Sequence, residues 1–71
     1  MITVEQIKQN ISEAIKHSGK TQTAIAKEIK VSNQTISSYV KQEKMPALDT
    51  FANLCVAIDA DPADILCISG Q

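Results

Sequence analysis

The run Asn33-Gln34-Thr35-Ile36-Ser37-Ser38 is where the side chains of this sequence could do chemistry, and that chemistry is hydrogen bonding rather than bond breaking. An Asn or Gln amide carries an acceptor beside a donor, the complement of the N6/N7 edge of adenine. A good pair of this kind is worth about 1 to 3 kcal/mol of discrimination between bases. Ser and Thr hydroxyls add donors and acceptors without bulk. Elsewhere the reactive inventory is thin. His17 is the one histidine, and Cys55 and Cys67 lie twelve residues apart with no CxxC pair, so no metal-ligand set assembles. The cysteines read as small apolar fillers and His17 as a cation tolerated near a helix C-terminus. With no glycine-rich phosphate loop and no nucleophile, base and acid set, nothing in the sequence supports an enzyme, a cofactor or a small-molecule substrate.

Those polar residues have to be held by something, and the apolar spacing says what. Thr3 with Gln6 three on forms a capping-box pattern, after which Val4, Ile7, Ile11, Ala14 and Ile15 draw one helical stripe, predicting a helix over residues 4–17 that Gly19 would stop. Thr21 can cap a second, short helix with Ala24, Ile25, Glu28 and Ile29 in helical period. After a break at Lys30 and Val31, Ser32 can cap a third, whose Ile36, Tyr39 and Val40 share a face. Its other face is Asn33, Gln34, Thr35, Ser37, Ser38 and Lys41. Tyr39 reads as core rather than as a stacking platform. Pro46 makes 41–46 a connection. A fourth helix is expected over 48–58 with Leu48, Phe51, Leu54, Cys55 and Ile58 inward. Asp61, Pro62 and Asp64 then start a fifth, running to about Ile68 and ending before Gly70.

Composition agrees with an all-α domain. A chain of 71 residues has room for one domain, which buries only about 60% of the surface its unfolded chain exposes. Tyr39 and Phe51 are the only aromatics, so aliphatic side chains must fill the core, and two Gly and two Pro argue against a turn-rich β fold. No basic segment leads into an apolar one and no run is long enough to span a bilayer, so a soluble chain with no membrane partner is expected. The net charge of −1 speaks against an anionic partner, but its distribution does not. Six lysines (16, 20, 27, 30, 41 and 44) face only Glu28 and Glu43, whereas Asp49, Asp59, Asp61 and Asp64 follow without a cation. That polarity would turn one end toward phosphates. Chance clustering on a solvated surface is the plainer explanation of the charges taken alone.

The stretch from Gln22 to Val40 is then two short helices joined by a break of about four residues, the geometry of helix-turn-helix DNA readers. Ala26 supplies the small residue that a close crossing needs, and Ile25, Ile29, Val31, Ile36 and Tyr39 are apolar wherever the junction must be buried. Here the chain resembles the phage repressor and Cro family, the lambda-repressor-like, XRE-type helix-turn-helix proteins, from about Val4 to Leu66. The resemblance rests on Thr21-Gln-Thr-Ala-Ile-Ala-Lys-Glu-Ile29, on Val31-Ser-Asn-Gln-Thr-Ile-Ser-Ser-Tyr39, and on Pro46, Phe51, Leu54, Ile58 and Ile65-Leu66. It implies a compact five-helix domain, a cytoplasmic location and binding to a double-stranded DNA operator. Three positions depart from the family pattern: Lys30 where Gly is frequent in the turn, Ala47 where a Ser cap is common, and Cys55 where Ala is common. A left-handed Lys30 would cost about 1 kcal/mol. There is also no Arg, which removes the bidentate guanine contact and the guanidinium phosphate clamp.

On this reading Asn33, Gln34 and Ser38 read bases, with Thr35 and Ser37 nearer the backbone or a thymine methyl; an ordinary wet helix face is the alternative. Lys20, Lys27, Lys41 and Lys44 are candidate phosphate contacts, with Thr21 beside them. The resemblance adds Gln22, which would bond a phosphate and brace Gln34. One short helix reads only a few base pairs, so a weak homodimer is expected, with half-sites about 34 to 36 Å apart. The resemblance puts the contact near the fourth and fifth helices, where Ile65, Leu66 and Ile68 are candidates; packing back on the first helix would use the same residues. The second functional reading is a protein-interaction module of the same fold, antirepressor or antitoxin-like, which the low charge and missing Arg favour.

Overall fold

Thr3 opens the first helix with the reciprocal pair that its sequence encodes. Its Oγ1 accepts from the Gln6 amide at 3.2 Å and its own amide donates to Gln6 Oε1 at 2.9 Å. In the computed structural model, which describes residues 1–68, five helices follow: α1 Val4–His17, α2 Gln22–Ile29, α3 Asn33–Val40, α4 Leu48–Ala57 and α5 Pro62–Ile65. Each of the next two caps acts as expected. Thr21 Oγ1 accepts from Ala24 N at 3.1 Å and Ser32 Oγ from Thr35 N at 3.1 Å. Asp61 Oδ1 caps α5 on Ala63 N at 2.9 Å. Ala47 has no side chain with which to do the same for α4.

The helices end by one device. After each of α2, α3, α4 and α5 a non-glycine residue turns left-handed (Lys30, Gln42, Asp59 and Cys67, φ between 55° and 63°). The amide beyond it then reaches back five residues to a carbonyl of the last turn: Val31 to Ala26, Glu43 to Ser38, Ala60 to Cys55 and Ile68 to Ala63, each at 2.9 Å. This corrects the expected length of α5. The helix stops at Ile65 because Cys67 adopts the left-handed turn three residues early; Gly70, expected to stop it, lies outside the described residues.

Ile11, Ile15, Ile25, Ala26, Ile36, Tyr39, Phe51, Leu54, Cys55, Ile58 and Ile65 form the core. Ile29 and Val31, expected at a buried junction, pack against it half-exposed. Leu48 departs from its expected inward place and is 85% exposed. Ala47, Leu48 and Asp49 are all exposed, so the first turn of α4 projects beyond the helices beneath it, and Ala57 supplies inward volume at the other end. Among the described residues no helix is long and apolar enough to cross a membrane.

Two polar ties set the angle of α3 and the seat of α5. Buried Ser12 on α1 donates its hydroxyl to the Val40 carbonyl at 2.6 Å, fixing the end of α3. Asn10 Nδ2 donates to the Ile65 carbonyl at 2.9 Å.

Candidate nucleic-acid interface

Ile36 and Tyr39 point into the core, so the remaining side chains of α3 are turned outward. Burial pushes the Tyr39 phenol above its ordinary value, as suits a core residue. Asn33 and Gln34 are exposed, while Thr35, Ser37 and Ser38 are half-buried along the flank. Gln34 lines a hollow of about 360 Å³ together with Ser32, Thr35, Ser38 and Lys44. Several of these groups are already engaged. Ser32 Oγ and Thr35 Oγ1 share a hydrogen bond of 2.9 Å, and Ser38 Oγ donates to the Gln34 carbonyl at 3.0 Å. Ser38 is thus turned back on its own helix, and Gln34 is the long amide left to reach outward beside a lysine.

The start of α2 lies next to the start of α3, because the left-handed Lys30 folds one helix back across the other. A hydrogen bond of 3.0 Å spans them, from Asn33 Nδ2 to Thr23 Oγ1. The first-turn amides of α2, at Gln22 and Thr23, come before any carbonyl of the helix can accept from them, which leaves donors for an anion.

This arrangement, two short helices crossing at Ala26 with the polar face of the second outward, is matched by residues 11–65, which fit the helix-turn-helix family HTH_3. The chain belongs to that family. It is accordingly a DNA-binding regulator domain of the XRE, lambda-repressor-like kind and not an enzyme. Among solved structures the clp gene regulator ClgR from C. glutamicum is similar in fold, with a TM-score of 0.77 at 23% identity over 92% of this chain and 83% of that one. No curated protein matches the chain.

Family membership leaves each side chain to be placed by geometry, and here the lysines separate. Lys27, Lys41 and Lys44 are exposed. Lys20 is held by its own chain: its Nζ donates to the Ala57 carbonyl at the end of α4 and lies 3.4 Å from Glu28 Oε2. Its charge serves a helix C-terminus and a carboxylate in this structure. The Thr21 hydroxyl is the cap of α2, and Gln22 is exposed at the first position of that helix. The link between the helix starts joins Thr23 to Asn33 rather than Gln22 to Gln34. Sequence reasoning missed Thr23. The available signal was a hydroxyl at the second position of α2 paired with an amide at the first position of α3, which the family geometry brings together.

The carboxylates collect elsewhere. Glu13, Asp59, Asp61 and Asp64 line a groove of about 380 Å³ between α1 and α5 with Asn10, Ala14, Ala60 and Ile65. The polar hollow on α3 shares no residue with it. Of the three residues expected at a dimer contact, Ile65 is 5% exposed and spent on the chain's own core beneath α1, which removes it from an interface; Leu66 is half-buried and Ile68 exposed.

Proposed function

We propose that this chain is the DNA-binding domain of a repressor, acting in the cytoplasm, that reads a two-fold symmetric operator as a weak homodimer through the first turn of α3. The observation that carries the reading is Gln34: exposed, free of the back-bond that occupies Ser38, and flanked by Lys44 in an open polar hollow. Asn33 and Gln34 supply amide readout and Thr35 and Ser37 flank it. Ser38 helps to shape the hollow. Lys27, Lys41, Lys44, Gln22 and the α2 amides hold phosphates and set register without carrying sequence. With few cations and no Arg, non-specific affinity is modest and the salt dependence shallow.

The dimer is supported by what the outer face of α4 exposes. Leu48 and Val56 are 85% and 83% exposed and Ala52 lies between them at four-residue steps, with Ile68 also exposed, more apolar surface than a solvated helix needs. One protomer measures 33 × 22 × 21 Å, so two abutting copies can space their recognition helices by about the 34 Å of one DNA turn.

Selection from random duplex pools at low salt tests the reading. Enrichment of a dyad-symmetric site, lost on Gln34→Ala, is the expected result. No enriched sequence would favour an interaction module of the same fold, which the net charge of −1 and the missing Arg would suit.

A further inference from the structure

We infer that two copies of this chain meet by laying α4 antiparallel against α4 of the second copy, with Ala52 on the two-fold axis. The inference rests on the homodimer reading above and fixes how the two copies are arranged. Leu48, Ala52 and Val56 follow one another at four-residue steps, so they drift by only about 40° per step and form a single ridge on the outer face of the helix. The ridge is large, small, large. Turned about Ala52 it maps almost onto itself: Leu48 of each copy falls on Val56 of the other, and the two Ala52 methyl groups at the centre let the helix axes come close.

A parallel arrangement is less well matched. It stacks Leu48 on Leu48 and Val56 on Val56, brings helix ends of like polarity together, and sets Asp49, the one charge on α4, level with its own copy. In the antiparallel arrangement the two Asp49 carboxylates lie toward opposite ends of the contact. Asp49 and Asn53 share one flank of the ridge and both are exposed, so each carboxylate comes beside the Asn53 amide of the other copy, which donates to it. Leu48 and Val56 are 85% and 83% exposed, so the contact takes from water the two large side chains that α4 of each protomer leaves bare. Two such side chains from each copy make a small interface, which suits a weak dimer whose copies add their DNA contacts together.

Leu48→Glu and Val56→Lys test the register, since each places a charge that suits its own end of α4 and leaves the core untouched. Each variant alone is expected to weaken self-association by about tenfold or more in sedimentation equilibrium, run with and without the selected palindrome. Mixed one to one, they are expected to pair again. The antiparallel register sets the new carboxylate of one against the new ammonium group of the other, while the opposite end keeps its Leu48 and Val56. In a Cys67→Ser background, with Cys55 buried, Ala52→Cys is expected to give a disulfide-linked dimer on oxidation with diamide. Weakened variants that do not pair on mixing, or a missing Ala52→Cys link, overturn the antiparallel register alone. Variants that associate as the unaltered protein does overturn the contact on α4. An unaltered protein that stays monomeric in solution and on its palindrome overturns the homodimer reading beneath both.

Discussion

A lysine can neutralise a phosphate only if nothing in its own chain already holds its ammonium group. Lys20 and Lys44 differ in this respect. Lys20 closes the end of α4 through the Ala57 carbonyl and lies beside Glu28, whereas Lys44 borders the hollow that Gln34 lines. Lys44→Ala should therefore weaken binding uniformly across DNA sequences and reduce the slope of log K against log salt by about 1. Lys20→Ala should leave that slope unchanged and instead cost on the order of 0.5 kcal/mol of stability, the size of a partly exposed helix-end charge. Titration of a labelled duplex over a salt series, beside thermal melts, separates the two. Composition marked both lysines alike, because the partner that distinguishes Lys20 sits 37 residues away in sequence. Gln34 was legible from its place on a polar helix face. The Thr23–Asn33 bond was legible only through the family geometry, since neither side chain carries a local pattern that names the other.

At the scale of elements, local chemistry was readable and tertiary choice was not. The Thr3–Gln6 box, Thr21, Ser32 and Asp61 with Pro62 each start a helix as their side chains dictate, because a cap is decided within four residues. The inward face of α4 is decided by what lies under it. Periodicity placed Leu48 with Phe51 and Cys55, but its turn overhangs the core and the residue is exposed. The early end of α5 depends on a left-handed cysteine that no turn signal announces. The cap that α4 lacks makes a direct prediction. Ala47 already has the extended backbone of an N-cap, φ −62° and ψ 162°, but no hydroxyl. Ala47→Ser should raise stability by about 1 kcal/mol, moving the melting midpoint up by roughly 4 to 8 °C in a domain of this size. An unchanged midpoint in circular dichroism melts would mean that the new hydroxyl does not reach the first-turn amides.

For the whole molecule, charge and apolar surface set how copies meet DNA and each other. The acidic groove and the lysine-flanked hollow are built from different residues, so the field of the protein favours approach with α3 leading and disfavours the groove. If Leu48 and Val56 carry the homodimer contact, Val56→Asp should shift the protein to monomer in sedimentation equilibrium. It should also weaken binding to a full palindrome by about tenfold or more, with half-site binding unchanged. Stability against pH follows from two groups kept neutral by the fold. Burial, with the Asp61 carboxylate adding to it, raises the Cys55 thiol above its ordinary 9.0, and burial raises the Tyr39 phenol above 10.0. In the unfolded chain both ionise at those ordinary values while the folded chain still binds the protons, so stability is intact below pH 9 and falls as pH rises through and beyond 9 to 10. Denaturant midpoints measured from pH 7 to 11 should be flat at first and then decline. Cys55→Ala should delay the onset, although its lost volume lowers the whole curve.

The rod proposed to meet the bases is clamped at both extremities, by the Ser12 hydroxyl on the Val40 carbonyl and by Thr23 on Asn33. Docking then asks little new order of the protein, and the heat capacity lost on association should match the surface that is covered, without the excess that accompanies folding on contact. The reading head acts as a rigid die, and the cost of adjusting to an imperfect site falls on the duplex.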